Sequence, residues 1–514
     1  MSQDNTFYIS TPIYYVNGEP HIGTAYTTVA ADTMARFNRL DGRDVFFLTG
    51  MDEHGQKVAQ AAEEHGMTPQ QWCDSQMPQF TDLWKDLNIS NNDFIRTTQP
   101  RHIAGVQKFL QTLYDNGYLY KDSYEGLYCT PCETFFTEDD LVDGCCPDCG
   151  RAVEAIKEEN WFFKLSEFGD KLIEYYEANP DFIRPEIRRN EVMSFVKGGM
   201  HDLSISRSTF DWGVPLPFDE EHVTYVWVDA LVNYLTAQGY GSDDESGVEK
   251  YWPANFHFVG KDIIRFHCVI WPAMLMAAGL PLPKAVFAHG FLMAADGSKM
   301  SKSKGNALYP RELMATYGVD AYRYYFMSDV TFGADGNIGT ERMTQVYNAD
   351  LANTYGNLFS RVSNMCIKYF DGVVPECPAA FADNPLKEIA DGLYPRYAAA
   401  LSSVDFGGAT GAVMELLHRA NLYVEESAPW NLAKSEETRD ELAAVIYNAL
   451  EACRIGALLL APFMPNTSDE LFARLNLGKA TQMTNGAEAA QWGGLPAGNA
   501  VVKGDALFPR LPKN

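Results

Sequence analysis

Residues 7–24 read FYISTPIYYVNGEPHIGT. Phe7 to Tyr15 is rich in β-branched and aromatic residues, the composition of a strand. Asn17-Gly18 is a turn signal. From His21 to about Leu40, the apolar residues Ala25, Val29, Ala30, Met34 and Phe37 recur at helical spacing. A second strand is predicted over Val45 to Thr49, followed by a polar loop at Asp52 to Gly55. Strand, helix and strand in this order predict an α/β domain with a parallel sheet and right-handed crossovers.

Further along, the pattern breaks at about residue 115. The stretch 116–225 carries two cysteine pairs and several Gly and Pro residues, and reads as a small insertion. Strands are expected again at Tyr225 to Val228, Phe256 to Val259 and Ala285 to Ala288. The sheet domain is thus split, with halves at 1–115 and 226–310. After a linker at 311–345, helical periodicity takes over in Val346, Leu351, Tyr355, Leu358, Val362 and Met365. It recurs in Leu442, Val445, Ile446 and Leu450. Thr467-Ser468-Asp469-Glu470 has capping-box spacing before Leu471. Residues 346–495 read as an α-helical bundle and 496–514 as an extended tail.

A chain of 514 residues, 46% hydrophobic, can build several cores. No run of about 18 apolar residues appears, so no membrane span is expected. Met1 to Phe7 has neither the basic and apolar order of a secretory signal nor the Arg-rich character of a transit peptide, so the expected compartment is the cytosol. A net charge of −27 opposes nucleic acid over most of the surface. Binding depends on where charge sits, however, and Arg184, Arg188 and Arg189 cluster, as do Lys299, Lys302 and Lys304.

Two segments suit a triphosphate. Pro20-His21-Ile22-Gly23-Thr24 follows a predicted strand and opens a helix, where N–H groups and the helix dipole face an anion. Gly23 permits close approach and His21 can donate to a phosphate oxygen. Lys299-Met300-Ser301-Lys302-Ser303 lies in a polar loop after a late strand. Two lysines there can close on pyrophosphate and stabilise charge developing during transfer. Taken singly, a His near a helix start is more often structural, and a short basic run is more often a solvated loop.

Together these segments resemble the HIGH and KMSKS signatures of the class I aminoacyl-tRNA synthetases. The second matches letter for letter, while Thr24 stands where the first has its final His. The resemblance extends over essentially the whole chain and implies a Rossmann-type parallel sheet, with 311–345 as a stem-contact region. Among these enzymes the methionine-specific group is the most similar. The stretches that carry this are 12–18 (PIYYVNG), 52–55 (DEHG), 225–230 (YVWVDA) and 260–263 (GKDI).

The resemblance implies that His21, Thr24, Lys299 and Lys302 are catalytic, and that His21, Gly23, Asp262 and Lys302 hold Mg²⁺–ATP, Asp262 through the ribose. Methionine would sit at the strand ends, the usual place for ligands of open α/β sheets. Asp52 would take its ammonium group. Ile13, through its backbone, and Tyr234, through its hydroxyl, would reach the thioether, with Tyr15, Trp227, Ala230 and His267 around them. On the bundle, Asn357, Arg361 and Trp430 would read a CAU anticodon. The implied reaction activates methionine as an adenylate and passes it to tRNA. The roughly 110-residue insertion leaves no room for the large editing domain of related enzymes. A monomer is expected, since the chain ends without an additional oligonucleotide-binding domain.

Cys129-x-x-Cys132 and Cys146-x-x-Cys149, separated by thirteen residues, have the form of two knuckles holding one structural Zn²⁺ through four thiolates. Cys145 could replace Cys146, and free or redox-active thiols are the alternative reading. Two other functions share parts of this pattern. A small-molecule adenylyltransferase needs neither the helical third nor the cysteine knuckles, and a non-catalytic tRNA-binding relative does not need an intact lysine loop.

Overall fold

The computed structural model describes residues 5–16, 18–129, 134–136, 138–147, 150–300 and 306–511. The chain divides into two compact units. One comprises residues 1–20, 45–85 and 91–289; the other comprises 21–44, 86–90 and 290–514. The first predicted helix is α1 (Ile22–Leu40) and belongs to the second unit.

The first unit is built on a six-stranded sheet. Its strands are β1 (Thr6–Tyr15), β2 (Asp44–Asp52), β3 (Asp93–Arg96), β4 (Ile183–Arg184), β5 (Phe256–Gly260) and β6 (Val286–His289), in the order β3-β2-β1-β5-β6-β4. The pairs β2/β3, β1/β5, β5/β6 and β6/β4 are parallel, with Ile9 opposite Phe256 and His257 opposite Val286. Thr6 through Thr11 are buried without alternation, as in a sheet covered on both faces. Strand order reverses at β1/β5, so the carboxyl ends of these two strands form the crevice where such sheets bind ligands.

The stretch 116–225 contains a second, antiparallel sheet of Thr134–Phe136, Leu119–Cys129, Glu154–Phe163 and Leu203–Ser204. It also returns to the main sheet, because Val286 and Phe287 pair with Ile183 and Arg184. The helix α2 (Glu186–Lys197) follows directly.

One expected strand is a helix. Tyr225 to Val228 opens α3 (Val226–Thr236), with Tyr225 as its N-cap residue. Ten of the eleven residues of α3 are buried. A helix covered on all sides has no polar face to reveal its period, so its aromatic and β-branched start reads as a strand.

The second unit is helical. It contains α4 (Val319–Ser328), α5 (Asn357–Phe370), α6 (Phe406–Ser427), α7 (Arg439–Leu460) and α8 (Pro465–Arg474). Val346 and Leu351 are spaced five apart because residues Tyr347–Gly356 form a π-helical stretch leading into α5. α7 has the length and hydropathy of a membrane span, but Leu442 to Leu460 are all buried within the protein.

The expected capping box is replaced. α8 begins two residues before Thr467, at Pro465, whose missing N–H costs nothing at that position. The N–H of Thr467 instead donates to Oδ2 of Asp320 at 2.5 Å, and Asn466 Nδ2 donates to Oδ1 at 3.1 Å. A carboxylate from α4 thus does the work of an N-cap side chain.

Candidate active site

In the second unit, His21 is the N-cap of α1. Its Nδ1 accepts from Gly23 N at 3.1 Å and Thr24 N at 3.2 Å. A nitrogen that accepts is unprotonated, so the neutral ring carries its hydrogen on Nε2. His21 is exposed, and Nε2–H is the donor that a phosphate oxygen needs. A Cβ on Gly23 would lie 3.0 Å from the His21 ring, so the glycine keeps the capping geometry open. Thr24 is 5% exposed and is held in the first turn.

Lys299 is exposed, just after a tight turn in which Ala294 N donates to Ser298 O and Gly297 takes φ +77. Asn306 Nδ2 donates to Ser298 Oγ at 3.1 Å. Lys302 and the remainder of 301–305 lie outside the described residues.

In the first unit, α3 presents Trp227, Ala230 and Tyr234 at three- and four-residue spacing, hence on one face. The Trp227 ring stacks on Phe266 with centroids 3.8 Å apart and planes 10° apart, and Tyr15 meets it edge-on at 6.2 Å. The Trp227 indole N–H is buried and has no hydrogen-bond partner among the described residues.

Tyr234 and His267 form a closed pair. His267 Nδ1 lies 3.0 Å from the Ile263 carbonyl and must donate to it, because a carbonyl only accepts. His267 Nε2 therefore accepts, and the Tyr234 hydroxyl donates to it at 2.7 Å. Burial pushes the His267 pKa down to about 4, against a smaller upward pull from the Ile263 carbonyl. The ring is neutral at pH 7, so this part of the site is polarisable and uncharged. Tyr234 also stacks on His257, with centroids 4.0 Å apart.

Asp52 ends β2 and is 2% exposed. Its neighbours fix the loop. Glu53 accepts from Arg96 Nε at 2.6 Å and from the Thr98 hydroxyl. His54 Nδ1 meets Asp229 Oδ2 at 2.6 Å. Ile13 shares the sheet face where a Cβ on Gly50 would come within 3.0 Å of it and 2.1 Å of the Ile95 carbonyl. Only glycine fits between these two isoleucines. Asp262 is exposed on the turn directly after β5, and a Cβ on Gly260 would fall 2.3 Å from its carboxylate.

Reading the sequence missed the roles of His54, His102 and Asp229. The last sits in the run Val226-Trp227-Val228-Asp229-Ala230-Leu231, where a lone acid among apolar residues signals a buried charge needing partners. His102 Nε2 takes the other Asp229 oxygen at 2.7 Å, and its Nδ1 lies 2.8 Å from Thr236 Oγ1.

Of the four cysteines, Cys132 and Cys149 lie outside the described residues. Cys129 and Cys146 are buried and packed together with Leu141 and Val153. Cys145 is not part of that cluster. Among the described residues no group of three or more His, Cys, Asp and Glu could hold a metal ion.

On the helical bundle, Arg361 pairs with Glu425 at 2.7 Å, and Glu425 lies five residues before Trp430. Trp430 is 40% exposed and follows Ala428, which takes φ +43 and breaks α6 from the next short helix. Asn357 is half-buried at the start of α5.

Comparison with known proteins bears on both regions. The family described as tRNA synthetases class I (M) matches residues 7–155 and 150–363, and the anticodon binding domain of methionyl tRNA ligase matches 378–514. A methionine–tRNA ligase of Caldanaerobacter subterraneus subsp. tengcongensis is 52% identical over 507 residues, covering 98% of this chain and 79% of that protein. The methionine–tRNA ligase of Streptomyces coelicolor is 50% identical over 525 residues, covering 98% and 96%. Among solved structures, Mycobacterium tuberculosis methionyl-tRNA synthetase in complex with methionyl-adenylate matches with a TM-score of 0.93 at 43% identity, covering 98% of this chain and all of that one.

Proposed function

The chain belongs to the methionine–tRNA ligase family of class I tRNA synthetases, and we propose from that premise how its own residues share the work. Its reaction is the ATP-dependent ligation of methionine to tRNA. The methionine carboxylate attacks the α-phosphate of ATP and releases pyrophosphate. A terminal ribose hydroxyl of the tRNA then attacks the activated carbonyl and releases AMP. The protein forms no covalent bond, so catalysis is positioning and charge stabilisation. Mg²⁺ bound to ATP neutralises part of the triphosphate charge.

In this reading, Nε2–H of His21 donates to a phosphate oxygen at the N-terminus of α1. Gly23 lets the nucleotide approach, and Thr24 holds the turn. Lys299 and Lys302 stabilise the departing pyrophosphate, and Asp262 takes the ribose. Asp52 receives the methionine ammonium group. The side chain lies among Ile13, Tyr15, Trp227, Ala230, Tyr234 and His267. The observation that carries the pocket is the closed Tyr234–His267 pair. It leaves a neutral, polarisable wall beside Trp227, which suits a thioether and disfavours a charged side chain.

Asn357, Arg361 and Trp430 would read the CAU anticodon, with Trp430 stacking on a splayed base. A structural Zn²⁺ would be held by Cys129, Cys132, Cys146 and Cys149. Packing of Cys129 against Cys146, with Cys145 outside the cluster, supports that choice of ligands. The cytosol is the proposed compartment.

Amino-acid-dependent ATP–pyrophosphate exchange without tRNA, run with all twenty amino acids singly, tests the reading. Exchange with methionine alone is expected. Exchange with a different amino acid would overturn the pocket assignment.

A further inference from the structure

Phe195 stands out on α2 as a large apolar side chain that is 37% exposed. The guanidinium of Arg265 lies over its ring, 4.5 Å from the centroid. Arg265 is itself exposed and lies five residues beyond the end of β5, at the carboxyl edge of the main sheet. The next residue, Phe266, stacks on Trp227. An exposed arginine–aromatic platform therefore borders the proposed methionine pocket, one residue along the chain from its wall.

The charge there runs against that of the whole. α2 and the segment 261–265 together hold five cations, Arg188, Arg189, Lys197, Lys261 and Arg265, against three carboxylates, Glu186, Glu191 and Asp262. The full chain has 41 Lys and Arg against 68 Asp and Glu. A local cationic excess within a strongly acidic chain favours a polyanion at this place. A flat aromatic with a guanidinium is the pair on which unstacked bases sit in single-stranded RNA complexes.

We propose that Phe195 and Arg265 form a stacking platform for the unpaired 3′-terminal nucleotides of tRNA, guiding the terminal ribose to the methionyl carbonyl. The inference rests on the family reading of the adjoining pocket. The platform acts in the transfer step alone, since adenylate formation involves no tRNA.

The test uses the full chain and compares Phe195→Ala, Phe195→Tyr and Arg265→Ala in two assays. Phe195→Ala is expected to raise the tRNA KM for charging by roughly tenfold, the order of a lost base stack. Methionine-dependent pyrophosphate exchange should stay within about twofold of the parent, which excludes a folding defect. Phe195→Tyr, which keeps the ring, should recover most of the tRNA KM. A tRNA carrying 2-aminopurine as its terminal base should be quenched on binding by the parent and by Phe195→Tyr, but not by Phe195→Ala. An unchanged tRNA KM in both Phe195→Ala and Arg265→Ala, with exchange intact, would overturn the platform. Absence of methionine-dependent exchange in the parent would instead overturn the pocket reading beneath it.

Discussion

His54 Nδ1 and Asp229 Oδ2 lie 2.6 Å apart, and this bond ties the loop after β2 to the first turn of α3. Asp52 and Trp227 each stand two residues from the pair, so one buried contact sets the spacing of two proposed methionine contacts. Burial alone would raise the Asp229 pKa, but His54 and His102 hold it down at about 2. Asp229→Asn keeps the size and loses the charge. Methionine KM is expected to rise about tenfold, near 1.4 kcal/mol, while ATP KM changes less than twofold. Steady-state exchange kinetics, varying each substrate in turn, check this. Equal rises in both KM values would mean general disorder of the site.

His267 makes stability depend on pH in a defined window. Burial pushes its pKa down to about 4, from 6.5 in the unfolded chain. Above pH 6.5 neither state binds the proton and His267 has no effect. As pH falls from 6.5 towards 4, the unfolded chain takes up the proton first and the fold weakens. The loss by pH 4.5 is about 2–3 kcal/mol. Urea unfolding at pH 7 and pH 4.5 should show the parent losing that much more than His267→Gln. Parallel losses in the two proteins would refute the assignment.

Lys302→Ala is expected to lower the adenylation rate by about 10²–10³, with methionine affinity nearly unchanged. A contact to departing pyrophosphate exists only as charge develops, so its loss falls on kcat. Pre-steady-state exchange with a methionine titration separates the two. An unaltered rate removes Lys302 from the mechanism.

The two knuckles should hold one Zn²⁺ per chain, measured by elemental analysis of purified protein. Cys146 packs against Cys129 and Cys145 does not, so Cys146→Ser should lose the metal and Cys145→Ser should keep it. The opposite pattern would move the ligand by one residue.

Much of the fold is legible in the sequence, and the exceptions share a cause. β1, α1 and β2 announce themselves because their composition and period are local. α3 did not, because burial on every side erased its period. Ile183–Arg184 is a two-residue strand whose partner lies about a hundred residues away, and no local signal marks it. The same holds for polar pairs in the cores. His102 lies 127 residues before Asp229, and neither sequence neighbourhood names the other. His21, by contrast, is legible as a helix start, and it is the N-cap of α1; its contact with phosphate is a proposal.

Arg323 is the most demanding of these long-range polar residues. It is fully buried on α4, and its N–H groups reach three carbonyls on two stretches of chain besides α1. Nε donates to the Phe463 carbonyl at 2.9 Å, Nη2 to Pro462 at 2.9 Å and Nη1 to Leu87 at 3.1 Å. Nη2 also meets Asp32 Oδ2 on α1 at 2.7 Å. Asp32 in turn binds Arg36 Nε at 2.7 Å and Ser90 Oγ at 2.6 Å. Burial alone would raise the Asp32 pKa, yet Arg36 and Arg323 hold it well below the usual carboxylate range. Removing one partner leaves a buried charge uncompensated, which typically costs 3–5 kcal/mol. Arg323→Met is therefore expected to destabilise the unit by about that much. Arg323→Lys should do little better, because one ammonium cannot serve three carbonyls on two segments and the Asp32 carboxylate at once. Asp32→Asn combined with Arg323→Met should recover part of the loss by removing both charges. Urea unfolding of the two single variants and the double variant closes the cycle. A double variant as unstable as the sum of the singles would mean the pair acts through packing and not through charge.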